Sequence, residues 1–544
     1  MPSRPRAARG VELGELRVLD GPNRFFVRPA VKLEFVADVP GAAELVTRAA
    51  AAELTSLHRA LDLPTPRVAF RGSVDGRRAL VAFPWRRRAI AQAVAAAAAR
   101  LALGRSSRRR ELTILQATAL GQRPAVPSPR IPVVAVTGTN GKSTTTRLVA
   151  HLLASAGRAV GMTNSDGIYL RGELVEPGDW TGFGGAGRVL AEPGIEVAVL
   201  ETARGGILLR GLGYDRNDVA VVTNVSADHL GLQGIDTLDE LADVKAAVVR
   251  VTRRGGWAVL NAEDERVWGM RRATKAGWYP FSLDPDSPAV AAALDAGGRA
   301  AVLEGGWLVL RHAGKPRRRL LPAADAPVTF GGLSRYNIAN ALAAAAAADA
   351  LGLAAPAIRS GLRSFAQDAD ANPGRMNLFE RRGVLALVDF AHNEAGLAGL
   401  LEVCRSLAPG GRSDDGLGPG RVRLALGTVG NRTDEIIRTL GELAGAGADD
   451  VVICEKPRYL RGRDLDAMNE LFRDGLRRSG YRRRVAAYPT ELAALRVLLR
   501  RSRPGDVAAV MSHVERDEIF SWLRAHGFRP ADAGRIGALR SEGA

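Results

Sequence analysis

The sequence predicts an α/β protein in three parts, a small α+β segment followed by two series of buried strands and helices. Three observations carry this. From Ile131 onward, short wholly apolar runs at 133–136, 197–200, 219–222 and 258–260 alternate with helical patterns, the signature of strands covered on both faces of a parallel sheet. After Asn372-Pro373-Gly374 the alternation restarts, with runs at 385–389, 424–426, 451–454 and 507–511. Upstream, strand-like runs at 15–19, 31–35 and 78–82 are interspersed with Ala-rich helices. The parts are expected at 1–125, 126–372 and 373–544. Residues 121–130, with Pro124, Pro127 and Pro129, read as the first linker. The almost all-Ala run 337–351 predicts a helix packed closely on every side. The Gly- and Asp-rich stretch 409–420 predicts a surface loop.

At 544 residues the chain is long enough for about three domains of ordinary size. Its 46% hydrophobic and 25% charged residues are typical of a soluble protein. No apolar run is long enough to span a bilayer, the Ala-rich stretch 91–103 being short, and the Arg-rich start lacks the apolar segment of a secretory signal. Two cysteines, Cys404 and Cys454, make neither a disulfide framework nor a cysteine-only zinc site. A cytoplasmic location is therefore expected. The net charge of +18 comes from basic clusters scattered along the chain, with no RNA-binding or zinc-finger spacing beside them. That scatter argues against dedicated nucleic-acid binding and fits attraction for anionic substrates. Only six of the 76 basic residues are lysine. A chain that writes positive charge as Arg keeps Lys where a slender primary amine is needed, and Lys142 and Lys245 are two of the six.

The segment Val133 to Thr144 is an apolar strand, a Gly-rich turn and a helix start. Such a turn presents backbone N–H groups and a helix N-terminus to phosphate. Within it, Thr139, Asn140, Gly141, Lys142, Ser143 and Thr144 are the expected nucleotide contacts, with Lys142 on the terminal phosphates and the Ser143 hydroxyl on Mg²⁺. Val136 stands where the strict phosphate-loop pattern has its first Gly. Glu201 and Asp389 each end an apolar strand, at the sheet edge where α/β proteins meet their ligands.

The form Thr137-Gly-Thr-Asn-Gly-Lys-Ser143 resembles the variant found in the Mur ligase superfamily, and further matches follow in chain order. The resemblance implies a central ATP-binding domain built on a parallel sheet and a Rossmann-like C-terminal domain. It implies ATP and Mg²⁺ as cofactors, with Glu201 and His229 as magnesium ligands beside Ser143. Lys245 stands where these enzymes carry a lysine modified by CO₂; as a carbamate it would become an anionic metal ligand. The segment Asn261 to Asp264 is similar to the family's segment near the adenine, and Asn337 and Asn340 match its two asparagines, with Tyr336 in place of the usual His. Arg375 matches the arginine that reaches ATP phosphates across the domain cleft. Asp389 matches the carboxylate on the nucleotide sugar, with Glu394 where a Pro usually follows Asn393. Lys142, Glu201, His229 and Lys245 are the implied catalytic set.

Within the superfamily, residues 162–169, 178–182, 200–207, 430–435 and 459–463 resemble the Mur-like half of cyanophycin synthetases, and residues 16–23 resemble the start of their N-terminal domain. The ATP-grasp module of those enzymes has no counterpart among the residues before the phosphate loop. The implied reaction joins an amino acid to a carboxylate of a peptide-like acceptor through an acyl phosphate. Arginine is the first candidate donor, since Asp434, Glu435 and Glu455 would offer its guanidinium carboxylate partners, with Asn431 and Arg432 nearby. Two alternatives stay open: a glutamate ligase of folylpolyglutamate-synthetase or peptidoglycan type, and a non-catalytic nucleotide-binding partner subunit. Homo-oligomerisation is also left open.

Overall fold

The structure, a computed structural model, describes residues 10–228, 230–408, 420–430, 432–531 and 534–538. His229, Asn431 and residues 409–419 of the expected surface loop lie outside the described residues.

Four antiparallel strands open the chain, in spatial order Val11–Leu19, Ala30–Ala37, Arg78–Pro84 and Ala69–Gly72. Period-two alternation puts Val31, Leu33, Phe35, Val81 and Phe83 on one face, where they pack with Leu54 and Leu57 of helix Ala42–Ala60 and with Val94 and Ala98 of helix Arg88–Ala102. Each large side chain so buried contributes about 1.5–3 kcal/mol. This unit is tied to the rest of the chain by ion pairs. Arg78 donates to both carboxylate oxygens of Asp236 at 2.6 Å, and Asp20 receives Arg210 at 2.7 Å.

The second sheet has eleven strands, of which seven run parallel. At its middle lie Asn217–Val222, Val133–Thr137, Val197–Glu201 and Val160–Thr163, in that order. The register Val222↔Thr137 and Val136↔Glu201 brings the C-terminal ends of three strands level, so residues just beyond them share one edge of the sheet. The helix Arg335–Ala350 carries the Ala-rich run. It is buried almost all round, packing Ile338, Leu342 and six consecutive alanines, Ala343 to Ala348, against Leu148, Leu152 and Val259. Only a side chain as small as Ala fits an approach this close on every side.

The sheet is not parallel throughout. A meander of Arg299–Glu304, Trp307–His312 and Arg318–Pro322 closes one end, and the hairpin Gly167–Leu170 with Glu173–Pro177 closes the other. The third sheet, of seven strands, repeats this plan. Ala487–Tyr488, Asp450–Cys454, Val422–Leu426, Val507–Met511 and Val384–Asp389 are parallel, and Asn377–Arg381 and Arg529–Pro530 add antiparallel strands at one edge.

Candidate active site

The strand Val133–Thr137 is buried along its whole length and delivers the chain into the glycine-rich turn. A Cβ on Gly138 would stand 1.8 Å from the Thr223 hydroxyl, and one on Gly141, at φ +81°, would stand 2.3 Å from Asn340 Oδ1. Neither position accepts a side chain. The turn is held from the neighbouring strand: Thr139 N–H donates to Asn224 O (2.9 Å) and Asn140 N–H to Asn224 Oδ1 (2.8 Å). Helix Lys142–Ser155 then starts at the loop, presenting its unpaired N–H groups and positive dipole end. Lys142 Nζ donates to Thr139 O at 2.8 Å, folded back over the loop.

A cavity of about 740 Å³ lies above this turn, lined by residues of the second and third parts of the chain. All six expected phosphate-loop residues line it, together with Glu201, Lys245, Arg375 and Asp389. Glu201 is 3% exposed, and its Oε2 has no hydrogen-bond partner. Burial pushes its carboxyl above the usual carboxylate range, while Lys142 and the Ser143 hydroxyl oppose the shift. A buried carboxylate oxygen left open, beside a hydroxyl and an ammonium, suits a divalent cation carried in with phosphate oxygens. Among the described residues no group of three or more His, Cys, Asp or Glu is arranged to hold a metal alone.

Lys245 sits on helix Leu238–Arg250, which begins with a capping box between Thr237 and Glu240. Its Nζ donates to Gly138 O at 2.6 Å. Burial, with Lys142 adding repulsion, pushes its ammonium down to about 7, so near neutrality a large share is the free amine.

From the third part of the chain, Arg375 Nη2 reaches Ser143 Oγ and Ser165 Oγ, both at 3.4 Å, with its guanidinium 4.5 Å from the centre of the Phe390 ring. Asp389 is held by the backbone N–H groups of Met376 (2.8 Å) and Ala391 (2.7 Å); burial raises its carboxyl against the pull of Arg375. Further bonds cross the same boundary. Arg516 donates to Asp166 at 2.6 Å, Asn140 and Asn393 exchange amide bonds at 3.1 and 2.9 Å, and Arg432 pairs with Asp228.

Two expected nucleotide residues stand outside the cavity wall. Asn261 Nδ2 donates to Thr223 O at 2.8 Å, securing the strand end beside the loop. Asn337 lies one layer beneath, accepting from Asn340 Nδ2 at 3.0 Å. None of the carboxylates expected to meet a guanidinium lines the cavity. Asp434 receives Arg463, Glu435 pairs with Arg438 and Arg478, and Glu455 accepts from Asn469 at 2.7 Å. The cavity wall adds Ser165, Asp179, Thr181, Arg204, Asp228, Tyr336 and Phe390. The stretches 162–169, 178–182 and 200–207, noted above only for their likeness to cyanophycin synthetases, contain four of these seven.

Residues 136–348 match the Mur ligase middle domain, and residues 374–514 match the Mur ligase glutamate ligase domain. A cyanophycin synthetase of Trichormus variabilis is 44% identical over 349 residues, covering 64% of this chain and 37% of that protein. The chain thus spans little more than a third of the length of that relative. A UDP-N-acetylmuramyl-tripeptide synthetase of Deinococcus radiodurans is 32% identical over 408 residues, covering 72% of this chain and 75% of that protein. Among solved structures, E. coli FolC in complex with ADP has the same fold, with a TM-score of 0.53 and 18% identity over 74% of this chain and 91% of that one. With both domain models matched in order, and three-quarters of a peptide synthetase aligned at this identity, the chain belongs to the Mur ligase family.

Proposed function

We propose that the chain is an ATP-dependent ligase that forms an amide bond between an amino acid and a carboxylate of a peptide-like acceptor. One observation carries this reading: a single cavity joins an open, buried carboxylate oxygen on Glu201 to cations from two domains, Lys142 and Arg375. Phosphoryl transfer needs positioning and charge stabilisation above all, and these groups supply both. The loop N–H groups and Lys142 hold the phosphate chain. Arg375 neutralises charge that gathers on the γ-phosphoryl group. Glu201 and Ser143, with His229 and Lys245 as the family pattern implies, would hold Mg²⁺, which when bound screens the phosphate oxygens.

In the proposed reaction an acceptor carboxylate oxygen attacks the γ-phosphorus, the bond to the β,γ-bridging oxygen breaks and ADP departs. The acyl phosphate is then attacked at carbon by the amine, which loses a proton as inorganic phosphate leaves. Contacts across the domain boundary at Asn140, Ser143 and Asp166 exclude water while the mixed anhydride exists. Lys245, with its ammonium lowered to about 7, has the free amine that carbamylation by CO₂ requires.

The likeness to cyanophycin synthetase makes arginine the first donor to try, with a poly-aspartate acceptor. The test is phosphate release across a panel of amino acids with ATP, Mg²⁺ and a poly-aspartate primer, with products weighed by mass spectrometry. Arginine-dependent release and a matching mass increment are expected. Incorporation of glutamate instead would move the assignment to the glutamate ligases, and phosphate release that does not depend on arginine would overturn the arginine assignment while leaving the ligase reading in place.

A further inference from the structure

Lys456 is another of the six lysines in a chain that otherwise writes positive charge as Arg, yet it stands outside the cavity wall. Its side chain is 2% exposed and pairs with Glu491, 1% exposed, the first residue of helix Glu491–Arg501. Lys456 Nζ also donates to Met511 O at 3.1 Å. A Cβ on Gly427 would stand 3.2 Å from Lys456 Cε and 2.4 Å from Cys454 O, so the close approach of this lysine requires glycine on the neighbouring chain. A buried ion pair is a poor source of stability, because both ions lose their water and apolar side chains of similar volume do as well or better. What the pair adds is direction. The Glu491 carboxylate accepts from Ser512 Oγ at 2.9 Å and from the backbone N–H groups of His513 (2.7 Å), Val514 (3.2 Å) and Glu515 (3.0 Å). Donors from four successive residues converge on one anion, which holds the turn leaving strand Val507–Met511 in a single shape.

That turn brings His513 up behind the active site. Its Nε2 stands 2.7 Å from Ala391 O; a carbonyl only accepts, so Nε2 carries the proton. Burial, with the charges of Lys456 and His392, holds the imidazole well below the usual histidine range, so the ring is neutral. It packs edge-on against Phe390, with centroids 5.1 Å apart, and Phe390 in turn carries the Arg375 guanidinium 4.5 Å from its centre. Ala391, which accepts from His513, donates its own N–H to Asp389 at 2.7 Å. The segment that seats Arg375 and Asp389 is thus braced from behind by one histidine.

We propose that the buried Lys456–Glu491 pair aims Arg375 at the terminal phosphate of the nucleotide, acting through the turn 512–515, His513 and Phe390. Lys456, Glu491 and His513 are positioning residues, since none of them lines the cavity. This rests on the role of Arg375 in the ligase reading above and adds how that guanidinium is held in place.

The test is the affinity of the full-length protein, with Mg²⁺, for a non-hydrolysable ATP analogue and for ADP, each measured by isothermal titration calorimetry. The ratio of the two reports contacts to the terminal phosphate and needs neither amino acid nor acceptor. Arg375→Ala should lower the ratio about tenfold, the loss expected of one charge-assisted hydrogen bond. Lys456→Met and Glu491→Gln should each lower it about threefold or more, with ADP affinity within about twofold of wild type, as expected of residues coupled to that bond. In an Arg375→Ala background neither should lower it further, because both act through that guanidinium. Should Glu491→Gln fail to fold, His513 carries the test. His513→Leu should lower the ratio as Lys456→Met does, and His513→Gln, which keeps an N–H donor for Ala391 O, should recover part of the loss. If the folded variants keep the wild-type ratio, or their losses multiply with that of Arg375→Ala, the positioning role is overturned while the ligase reading stands. If Arg375→Ala itself leaves the ratio unchanged, the role of Arg375 in that reading fails and the positioning role with it. Equal loss of both affinities would trace the effect to the fold and would also overturn the positioning role.

Discussion

Arg375 of the last domain lies 3.4 Å from Ser143, the residue after the phosphate-loop lysine, although 232 positions separate them in sequence. The phosphate loop is therefore met from the opposite side by a cation from the C-terminal part of the chain. Lys142 is its counterpart on the near side, resting on Thr139 O at 2.8 Å. Lys142→Ala should lower ATP turnover at least about a hundredfold, as loss of a charge-stabilising group does. Lys142 is partly exposed rather than a core residue, so the thermal unfolding midpoint should stay within a few degrees. Turnover at the wild-type rate in this variant would remove Lys142 from the phosphate site.

Glu201 links activity to stability with opposite signs. Its carboxyl is raised by burial, so between the ordinary value of 4.5 and the raised one the folded chain holds more protons than the unfolded. Stability then falls as pH rises through that window, and the ligand-free protein holds a buried carboxyl whose Oε2 is unpartnered. Glu201→Gln should therefore raise the unfolding midpoint of the ligand-free protein at pH 7. It should also reduce turnover at least about a hundredfold and lose the extra stabilisation that Mg²⁺ with a nucleotide analogue gives the wild type. Differential scanning calorimetry with and without those ligands checks all but turnover; a variant less stable than wild type would contradict this account of the buried charge.

Asp166 bridges the central and C-terminal parts of the chain. One carboxylate oxygen accepts from Arg147 of the phosphate-loop helix at 2.8 Å and the other from Arg516 of the last domain at 2.6 Å. Arg516, Arg147 and the nearby Arg375 hold its carboxyl below the usual range despite burial. Removing one partner of such a pair leaves the others uncompensated. Asp166→Asn should populate a more open molecule, visible as a larger radius of gyration in small-angle scattering. It should lower turnover at sub-saturating nucleotide several-fold, with partial recovery at saturating nucleotide as ligand draws the domains together. An unchanged scattering profile with unchanged turnover at sub-saturating nucleotide would show that closure does not depend on this contact.

The parts of this site that could be read from the sequence are those encoded in a few adjacent residues. The strand, turn and helix around Lys142 and the carboxylates ending strands at Glu201 and Asp389 announce themselves by local pattern, and the cavity gathers them. Contacts such as Asp166 with Arg516, 350 positions apart, leave no local trace, because charge pairing sets no spacing. The same limit hid the roles of Asp434 and Glu435: carboxylates in an Arg-rich chain look free in sequence, yet Arg463, Arg438 and Arg478 take them. Asn261 and Asn337 show a third case, in which a polar side chain supports the loop from outside the cavity. The edge strand Glu173–Pro177 escaped because a strand exposed at most of its positions lacks the continuous apolar run that marks a buried one.

Lys245 gives the prediction with the clearest pH signature. Its ammonium is lowered from 10.5 to about 7 by burial and by Lys142, and Nζ lies 2.6 Å from Gly138 O. Between those two values the unfolded chain holds a proton that the folded chain has lost, so this residue makes stability rise with pH across that window. Lys245→Met keeps the bulk of the side chain without the amine. In CO₂-free buffer, the stability of wild type relative to Lys245→Met should therefore increase from pH 7 to pH 9, as followed by urea denaturation at each pH. Supplying bicarbonate should then raise wild-type turnover and leave Lys245→Met low, because only a free amine at this position takes up CO₂. Short carboxylates such as acetate should partly restore the variant by standing in for the carbamate oxygens. A flat stability difference would refute the lowered ammonium, and full activity of Lys245→Met without CO₂ would refute the carbamate, so the two claims fall separately.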